Sequence, residues 1–320
     1  MTAAPLPASL QTPDLVVRPL HQDNRMALLP LLNHWVEGMP YTARFTTASS
    51  ERDIFGASPA TVHALKWQQN RHFGVWLGSD LLGFVDVATG FTPEMVPGSR
   101  PKGFLRFLAL PWIQAHRDLV DRAGALLLFE AERFWREYGV REAVAFALDA
   151  GYPSFQGGAG VLPGEWSSHF RVLTEAGYHL ADRYYCLHRT IHTLLEEQTP
   201  GLRLSLSLRG SDRDRHYTVY RRAEQVARAR LLHREVDHPA GVNPVAVLVH
   251  FEVEPDWRSK GLGKWLLRRL INDATLQGYR RMVYHVHPEN HVAIYLFSQN
   301  GFQEMDFRGY VFTKQLLPQS

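Results

Sequence analysis

Arg258, Lys260, Gly261, Gly263 and Lys264 stand together in the run R-S-K-G-L-G-K, and the property they share is an aptitude for phosphate. Glycines at 261 and 263 let the backbone take positive φ and approach a ligand closely, leaving the first N–H groups of a following helix unpaired and pointing outward. Three cations surround those donors. A helix terminus adds roughly 0.3–1 kcal/mol for a nearby anion, and each charged hydrogen bond about 1.5–3 kcal/mol. A pyrophosphate is the ligand such a turn would hold best.

The flanking elements are those the turn needs. Val245 to Val253 is an apolar run that reads as a strand, and Leu262, Leu266, Leu267 and Leu270 recur at helical spacing. The segment is therefore strand, basic turn, amphipathic helix. The plainer alternative is a glycine turn leading into a surface helix with solvated charges. Two nucleotide loops are excluded by spacing: a Walker loop needs four residues between its first glycine and its Gly-Lys pair, and here there is one. A dinucleotide fingerprint needs a third glycine where Leu266 stands.

Arg258, Gly261 and Gly263, following a strand that ends V-x-P, form R-x-x-G-x-G and closely resemble the acyl-CoA pyrophosphate loop of the GNAT superfamily of N-acetyltransferases. Asn290, Ala293, Gly301 and Phe302 stand at the offsets of that family's second signature. The resemblance is strong in the C-terminal part and weak before it. It implies acetyl-CoA as cosubstrate without a metal, its pyrophosphate held by Arg258, Ser259, Lys260, Gly261, Leu262, Gly263 and Lys264. It further implies a pantetheine arm along the backbone of Phe251 and Val253, beside Asn290 and the side chain at position 297. The reaction it implies is direct acetyl transfer to a primary amine of a small molecule or peptide.

Such a transfer needs a neutral amine and a proton for the departing thiolate, and histidine has the pKa nearest working pH. His285, on the expected strand Arg281 to His287, stands where ribosomal-protein acetyltransferases, which this strand resembles in spacing, carry the base. It is either that base, acting through water, or a histidine satisfied on a strand face. The family's thiolate acid is a tyrosine seven residues after the asparagine, where this chain has Phe297. Tyr295 lies two residues earlier, roughly 200° away around a helix. Three readings stand: the thiolate leaves unassisted, the helix is shifted so that Tyr295 reaches, or the protein binds CoA without turnover and serves as a regulatory or scaffold protein. On the preceding strand, Val247 and Val249 are expected to share the face of Val253, with His250 and Glu252 opposite.

The 320 residues, 45% hydrophobic and 21% charged, suit two globular units, and the expected division is 1–192 and 193–320. The expected fold class is α+β: two tandem GNAT domains of the type that resembles mycothiol synthase, each a mixed, mostly antiparallel sheet flanked by helices. No apolar run approaches the ~20 residues of a membrane helix, and the first residues lack the basic start and apolar stretch of a secretion signal. A cytoplasmic monomer or homodimer is expected. The single cysteine, Cys186, excludes an internal disulfide and reads as a buried strand residue. A net charge of +3 favours a small anionic ligand over nucleic acid. Arg221, Arg222, Arg228, Arg230 and Arg234 read as a solvated strip, or else as a site for an anionic acceptor or nucleic-acid phosphates.

The first half shows the order of a GNAT domain: strand Asp14 to Pro19, helix Asp23 to Gly38, a helix from about Ser58 to Trp67, strands His72 to Leu77, Leu81 to Val87 and Phe104 to Leu110, helix Arg117 to Tyr138, strand Glu142 to Leu148. Its cofactor loop after Leu110-Pro111 has only Gly124, with Asp118 and Asp121 nearby, and reads as a degenerate copy that has lost CoA. Glu175-Ala176-Gly177-Tyr178 mirrors Gln299-Asn300-Gly301-Phe302, a faint internal repeat. In the second half the strands Leu202 to Leu208, Tyr217 to Arg221, Gln225 to Val236 and Val245 to Val253 follow one another without the two helices that wall the acceptor pocket in the family. The first half is expected to supply that wall. The glycine-rich piece Gly151 to Gly164 is read as a long loop near the acceptor, or a linker.

Overall fold

Alternating and continuous apolar runs become strands, and 3.6-residue periodicity becomes helices, in a computed structural model that describes residues 14–96, 98–112, 117–201, 203–238 and 241–316. The N-terminal leader reading, Leu202 and part of the first half's cofactor loop lie outside these residues. The first half contains β1 (Leu15–Pro19), α1 (Arg25–Val36), α2 (Thr47–Asp53), β2 (Lys66–Leu77), β3 (Asp80–Phe91), β4 (Lys102–Ala109), α3 (Arg117–Glu137), β5 (Glu142–Ala145), β6 (Leu162–Pro163), α4 (Ser167–Glu175) and β7 (His179–Thr190). The second contains β8 (Ser205–Ser211), β9 (Asp214–Arg221), β10 (Glu224–His238), β11 (Gly241–Val253), α5 (Leu262–Leu276), β12 (Arg281–Val286), α6 (His291–Ser298) and β13 (Gln303–Gln315). β8 turns directly into β9 at Asp212 and Arg213, so the two wall helices are absent there.

The strands form one mixed sheet in the order β1-β2-β3-β4-β5-β13-β7-β12-β11-β10-β9-β8, with β6 beside β13. Most neighbours are antiparallel, and the parallel pairs β4 with β5 and β11 with β12 stand at matching places in the two halves. The last strand of each half has crossed over. β7 pairs with β12, Tyr185 opposite Val286, and β13 pairs with β5, Phe312 opposite Ala145, while β7 and β13 pair with each other at the centre.

Three apolar clusters follow from this layout. One joins β2 to β5 with α1, α3 and α4 and includes Leu28, Phe84, Phe107 and Trp135. A second packs α5 and α6 on β9 to β12 through Leu266, Leu270, Phe297 and Phe302. The third fuses the halves: Val62, Phe104, Val144, Val161, Cys186, Val245, Val247 and Val283 share it. Cys186 is a buried strand residue, and burial pushes its thiol well above the usual range.

One expected helix is not formed. Residues from Ser58 lead instead toward β2, which begins at Lys66, and the helix of this region is α2, opened by Thr46 accepting from the Ser49 N–H at 3.2 Å. Ser58-Pro59 imitates a helix start, but tertiary demands override it. The carbonyls of Ala60 and Val62 accept from the buried Arg106 and from Arg230, and Thr61 donates to the Asp149 carbonyl at 2.6 Å. Within a helix those carbonyls would be turned to their own chain.

The glycine-rich piece Gly151 to Gly164 is buried along most of its length. Gly157, at φ 70°, lies against Val247, and Gly158 against Val62. At Gly160 a Cβ would fall inside the van der Waals radius of the Ala147 carbonyl oxygen, so this backbone crossing admits no side chain. Gly160→Ala is accordingly expected to destabilise the protein by about 1–3 kcal/mol, the usual penalty for overpacking. A thermal melt shifted down by several degrees would show it, and an unchanged melt would show that the crossing relaxes freely.

Candidate active site

The basic turn has the geometry its composition requires. Gly261 caps α5 at φ 80° and Ser259 sits at φ 59°, two left-handed positions that turn successive amides outward. The first backbone bond of the helix is Trp265 N–H to the Gly261 carbonyl at 3.1 Å. Among the described residues, none of the N–H groups from Ser259 to Lys264 has an acceptor. Arg258, Ser259, Lys260, Gly261 and Lys264 are exposed, Gly263 half-buried, and Leu262 anchors the helix in the core. Arg258 donates from Nε to the Val253 carbonyl at 2.9 Å, which ties the turn to the end of β11. Lys260 donates to the Asp256 carbonyl at 2.7 Å and lies over the Trp257 ring. These donors and cations fit a diphosphate, and a side chain at 261 would strain the turn.

Beside the turn the sheet is open. β12 pairs with β11 only from Val245 to Leu248, whereas β11 continues to Val253. The Glu254 N–H donates to the Val226 carbonyl of β10 at 3.0 Å, and antiparallel bonding alternates from there. Glu252 and His250 thus bond to β10, while the amide groups of Phe251 and Val253 face the opening left by β12.

The side chains do not follow the expected alternation. Arg230 pairs with His250 and the next residue, Leu231, with Leu248, so Val249 is an extra residue, a β-bulge. Before the bulge Ala246 and Leu248 point to the α5 side; after it Phe251 and Val253 do. Val247 and Val249 therefore share the face of His250, not that of Val253, and this corrects the expectation drawn from simple alternation.

That face looks onto a cavity of about 810 Å³ between the halves, walled by His63, Glu94, Asp149, Asp182 and Tyr184 from the first half and by Arg228, Arg230 and His250 from the second. A small cavity sharing His63, Leu148 and Val249 is lined by Gly157, Gly158, Val247 and His285. His285 is half-buried and lines this small cavity. Burial, then the nearby His63, lowers its pKa to about 4; burial, Arg230 and His250 lower that of His63 to about 4. Both imidazoles are neutral at pH 7.

The basic strip is largely paired. Arg228 meets Glu252 at 2.6 Å and holds its carboxyl below the usual range, and Arg230 grips Asp214 with both nitrogens at 2.7 and 2.8 Å. Arg221 covers the Trp257 ring. Phosphates of a nucleic acid would have to displace these carboxylates.

The residues around the missing acid fall in three places. Tyr295 is 68% exposed on the outer side of α6, and Phe297 is fully buried with no surface to offer a ligand. Asn290 caps α6 by accepting from the Ala293 N–H at 3.1 Å. Tyr284, which the sequence reading passed over, stacks on Phe297 at 4.6 Å between centroids and occupies the last rung before β11 and β12 part. Burial raises its pKa.

In the first half the equivalent opening is filled by protein. Aligning Gly177 on Gly301 places Trp166 on Asn290 and His169 on Ala293. His169 donates to the Leu108 carbonyl at 2.8 Å, and Trp35 donates to the Leu110 carbonyl at 2.8 Å, one near the end of β4 and one just past it, beyond the pairing with β5. His169 is wedged against Trp35 and Trp166, with centroids 4.4 and 4.7 Å apart, and burial holds its pKa at about 3.

Comparison with known proteins agrees with this geometry. Residues 180–302 match the model of the acetyltransferase (GNAT) family. The chain superposes on a tandem GNAT protein from the clavulanic acid biosynthesis pathway with a TM-score of 0.65 and 15% identity, over 96% of this chain and 100% of that one. A GCN5-related N-acetyltransferase from Sphaerobacter thermophilus gives 0.61 and 11%, over 94% and 95%. A glucosamine N-acetyltransferase region of a fungal multi-domain β-N-acetylglucosaminidase gives 0.66 and 12%, over 95% of this chain and 38% of that one. No curated protein sequence matches. The fold is a tandem GNAT fold of the α+β class, and the match to the GNAT family model is confined to segment 180–302. No helix of the described residues is long and apolar enough to cross a membrane. Nor do three or more His, Cys, Asp or Glu among them gather as metal ligands.

The buried histidines make a pH test of this arrangement. His63, His169 and His285 have folded pKa values of about 4, 3 and 4, below the ~6.5 of an unfolded histidine. The unfolded chain therefore binds more protons between these values, and stability falls as pH drops below ~6.5, by about 1.4 kcal/mol per unit for each histidine. Urea melts between pH 7.5 and 5 should show this decline as an order-of-magnitude effect. His169→Gln, which keeps a donor for Leu108, should make the decline shallower.

Proposed function

We propose that this protein is a cytoplasmic acetyl-CoA-dependent N-acetyltransferase in which the 193–320 unit holds acetyl-CoA and the 1–192 unit walls the acceptor site. The observation that carries the reading is the run of unpaired amides from Ser259 to Lys264 at the mouth of the β11–β12 opening. The pyrophosphate would lie on those amides with Arg258, Lys260 and Lys264 around it, and the pantetheine would bond the free edge of Phe251 and Val253. An amide N–H there would polarise the thioester carbonyl. The acceptor, a small-molecule or peptide amine, would enter from the cavity on the other face. Monomer or homodimer serves equally, since the site is complete within one chain.

In the reaction the amine nitrogen bonds to the acetyl carbon, the carbon–sulfur bond breaks, the nitrogen loses a proton and the thiolate gains one. His285, neutral and facing the cavity, accepts the first proton through water. Its low pKa makes it a relay more than a store. Tyr284 is the phenol best placed for the second, since it stacks on Phe297 where the strands separate; Tyr295 faces outward. The same burial of Phe297 and exposure of Tyr295 favours the second reading, a protein that binds CoA without turnover.

Calorimetry should find one acetyl-CoA per chain, the first half being plugged, with affinity reduced at least about tenfold by Gly261→Val, whose φ of 80° no β-branched residue adopts readily. No heat of binding would refute the assignment. In turnover assays Tyr284→Phe should lower kcat by about 10²-fold, the lower range for a lost general acid, and Tyr295→Phe should leave it unchanged. Binding with no turnover on any amine would establish the second reading.

A further inference from the structure

His63 belongs to a piece of chain that has no regular structure and is nonetheless pinned from several sides. Between α2 and β2 the Ala60 carbonyl accepts from Arg106, the Thr61 hydroxyl donates to the Asp149 carbonyl at 2.6 Å, and the Val62 carbonyl accepts from Arg230 of the second half. The His63 N–H donates to the Thr61 hydroxyl at 3.2 Å, and its carbonyl accepts from the Leu65 N–H at 3.0 Å. The imidazole itself has no hydrogen-bond partner among the described residues. A braced backbone behind a side chain with free nitrogens is how a scaffold preorganises a proton-transfer group.

Two cavities meet at this ring. His285 lines the small one, of about 30 Å³, whereas His63 lines both that and the 810 Å³ cavity between the halves. The rest of the small cavity is valine, leucine, alanine and glycine, so His63 and His285 are its two titratable side chains. It has room for one or two waters. A proton that His285 releases on this side therefore passes to water or to His63, and His63 leads on to the large cavity. Burial keeps both rings neutral, and a neutral imidazole still passes a proton, because one nitrogen is bare while the other carries hydrogen. We infer that His63, contributed by the first half, is the outlet through which His285 hands its proton to the large cavity. This rests on the acetyltransferase reading, in which His285 takes a proton from the amine through water. The N–H bond broken on the amine is replaced by one on the bare nitrogen of His285. The hydrogen on that ring's other nitrogen moves by way of water to the bare nitrogen of His63, whose own hydrogen leaves to water in the large cavity. One proton reaches solvent, both rings end neutral with their tautomers reversed, and exchange with water resets them.

The test uses the full chain with acetyl-CoA and whichever of butylamine, ethanolamine and diglycine it acetylates fastest. His63→Ala should lower kcat about tenfold, less than the roughly 10²–10⁴ of a direct general base, and leave KM for acetyl-CoA unchanged. Added imidazole should restore most of the loss, since the vacated space adjoins the large cavity. His63→Gln, which keeps the bulk and hydrogen bonding but passes no proton, should stay slow. In a His285→Ala background His63→Ala should cost nothing further, because the two act in series. Either His63 variant turning over as fast as the unaltered chain would overturn the inference and leave the acetyltransferase reading in place. So would a loss that His63→Gln repairs and imidazole does not, which would mark the ring as packing. No turnover by the unaltered chain on any of the three amines with acetyl-CoA bound would overturn both.

Discussion

The divergence of β11 from β12 after Leu248 is the constraint on which the rest of the molecule depends. Parallel strands that stay paired bury their amides in each other; strands that part must find other partners for those groups. Here the edge is left to Phe251 and Val253, one carbonyl of which is already taken by Arg258. That single bond couples the strand edge to the basic turn. The bulge at Val249 makes the arrangement useful. It directs Phe251 and Val253 into the α5 core while turning His250 toward the cavity on the other face.

The two halves show what decides whether such an opening can admit a ligand. Both have the parallel pair and the parting strands, but the first half closes its own with Trp35, Trp166 and His169. Where the second half has the small Ala293, the first has an imidazole donating to Leu108. The bond satisfies the carbonyl that a pantetheine amide would otherwise meet, and the ring occupies the volume. Loss of the glycine turn alone would weaken binding. The plug removes the space and makes that end of β4 part of the core.

How much of this was legible in the sequence follows from the range of each interaction. The turn from Arg258 to Lys264 was readable because its conformation is set by local residues: two glycines, a strand before and an amphipathic helix after. The strands of the second half, with their missing helices, were readable for the same reason. The helix expected from Ser58 to Trp67 is not formed because the partners of Ala60 and Val62, Arg106 and Arg230, are remote in sequence. The faces of His250 and Val253 were misjudged because a bulge adds one residue without leaving any mark in the apolar alternation. Tyr284 was passed over because its relation to Phe297 is a stacking contact between strand and helix, which spacing does not encode. Nor does local sequence report the exchange of β7 and β13, since each strand would satisfy its pattern beside either neighbour.

That exchange accounts for the character of the cavity. Because β13 closes the first half's sheet and β7 closes the second's, the faces of β4, β5 and β11 are held opposite each other by paired backbone rather than by a linker. Loop 148–159 is trapped between them, its glycines against Val247 and Val62. The side of the cavity facing β11 is built from the first half, and it brings that half's charges with it. The second wall has its arginines neutralised in place, and the first holds Asp149 near Glu94 and Lys102. The cavity is thus a product of how the two halves are paired.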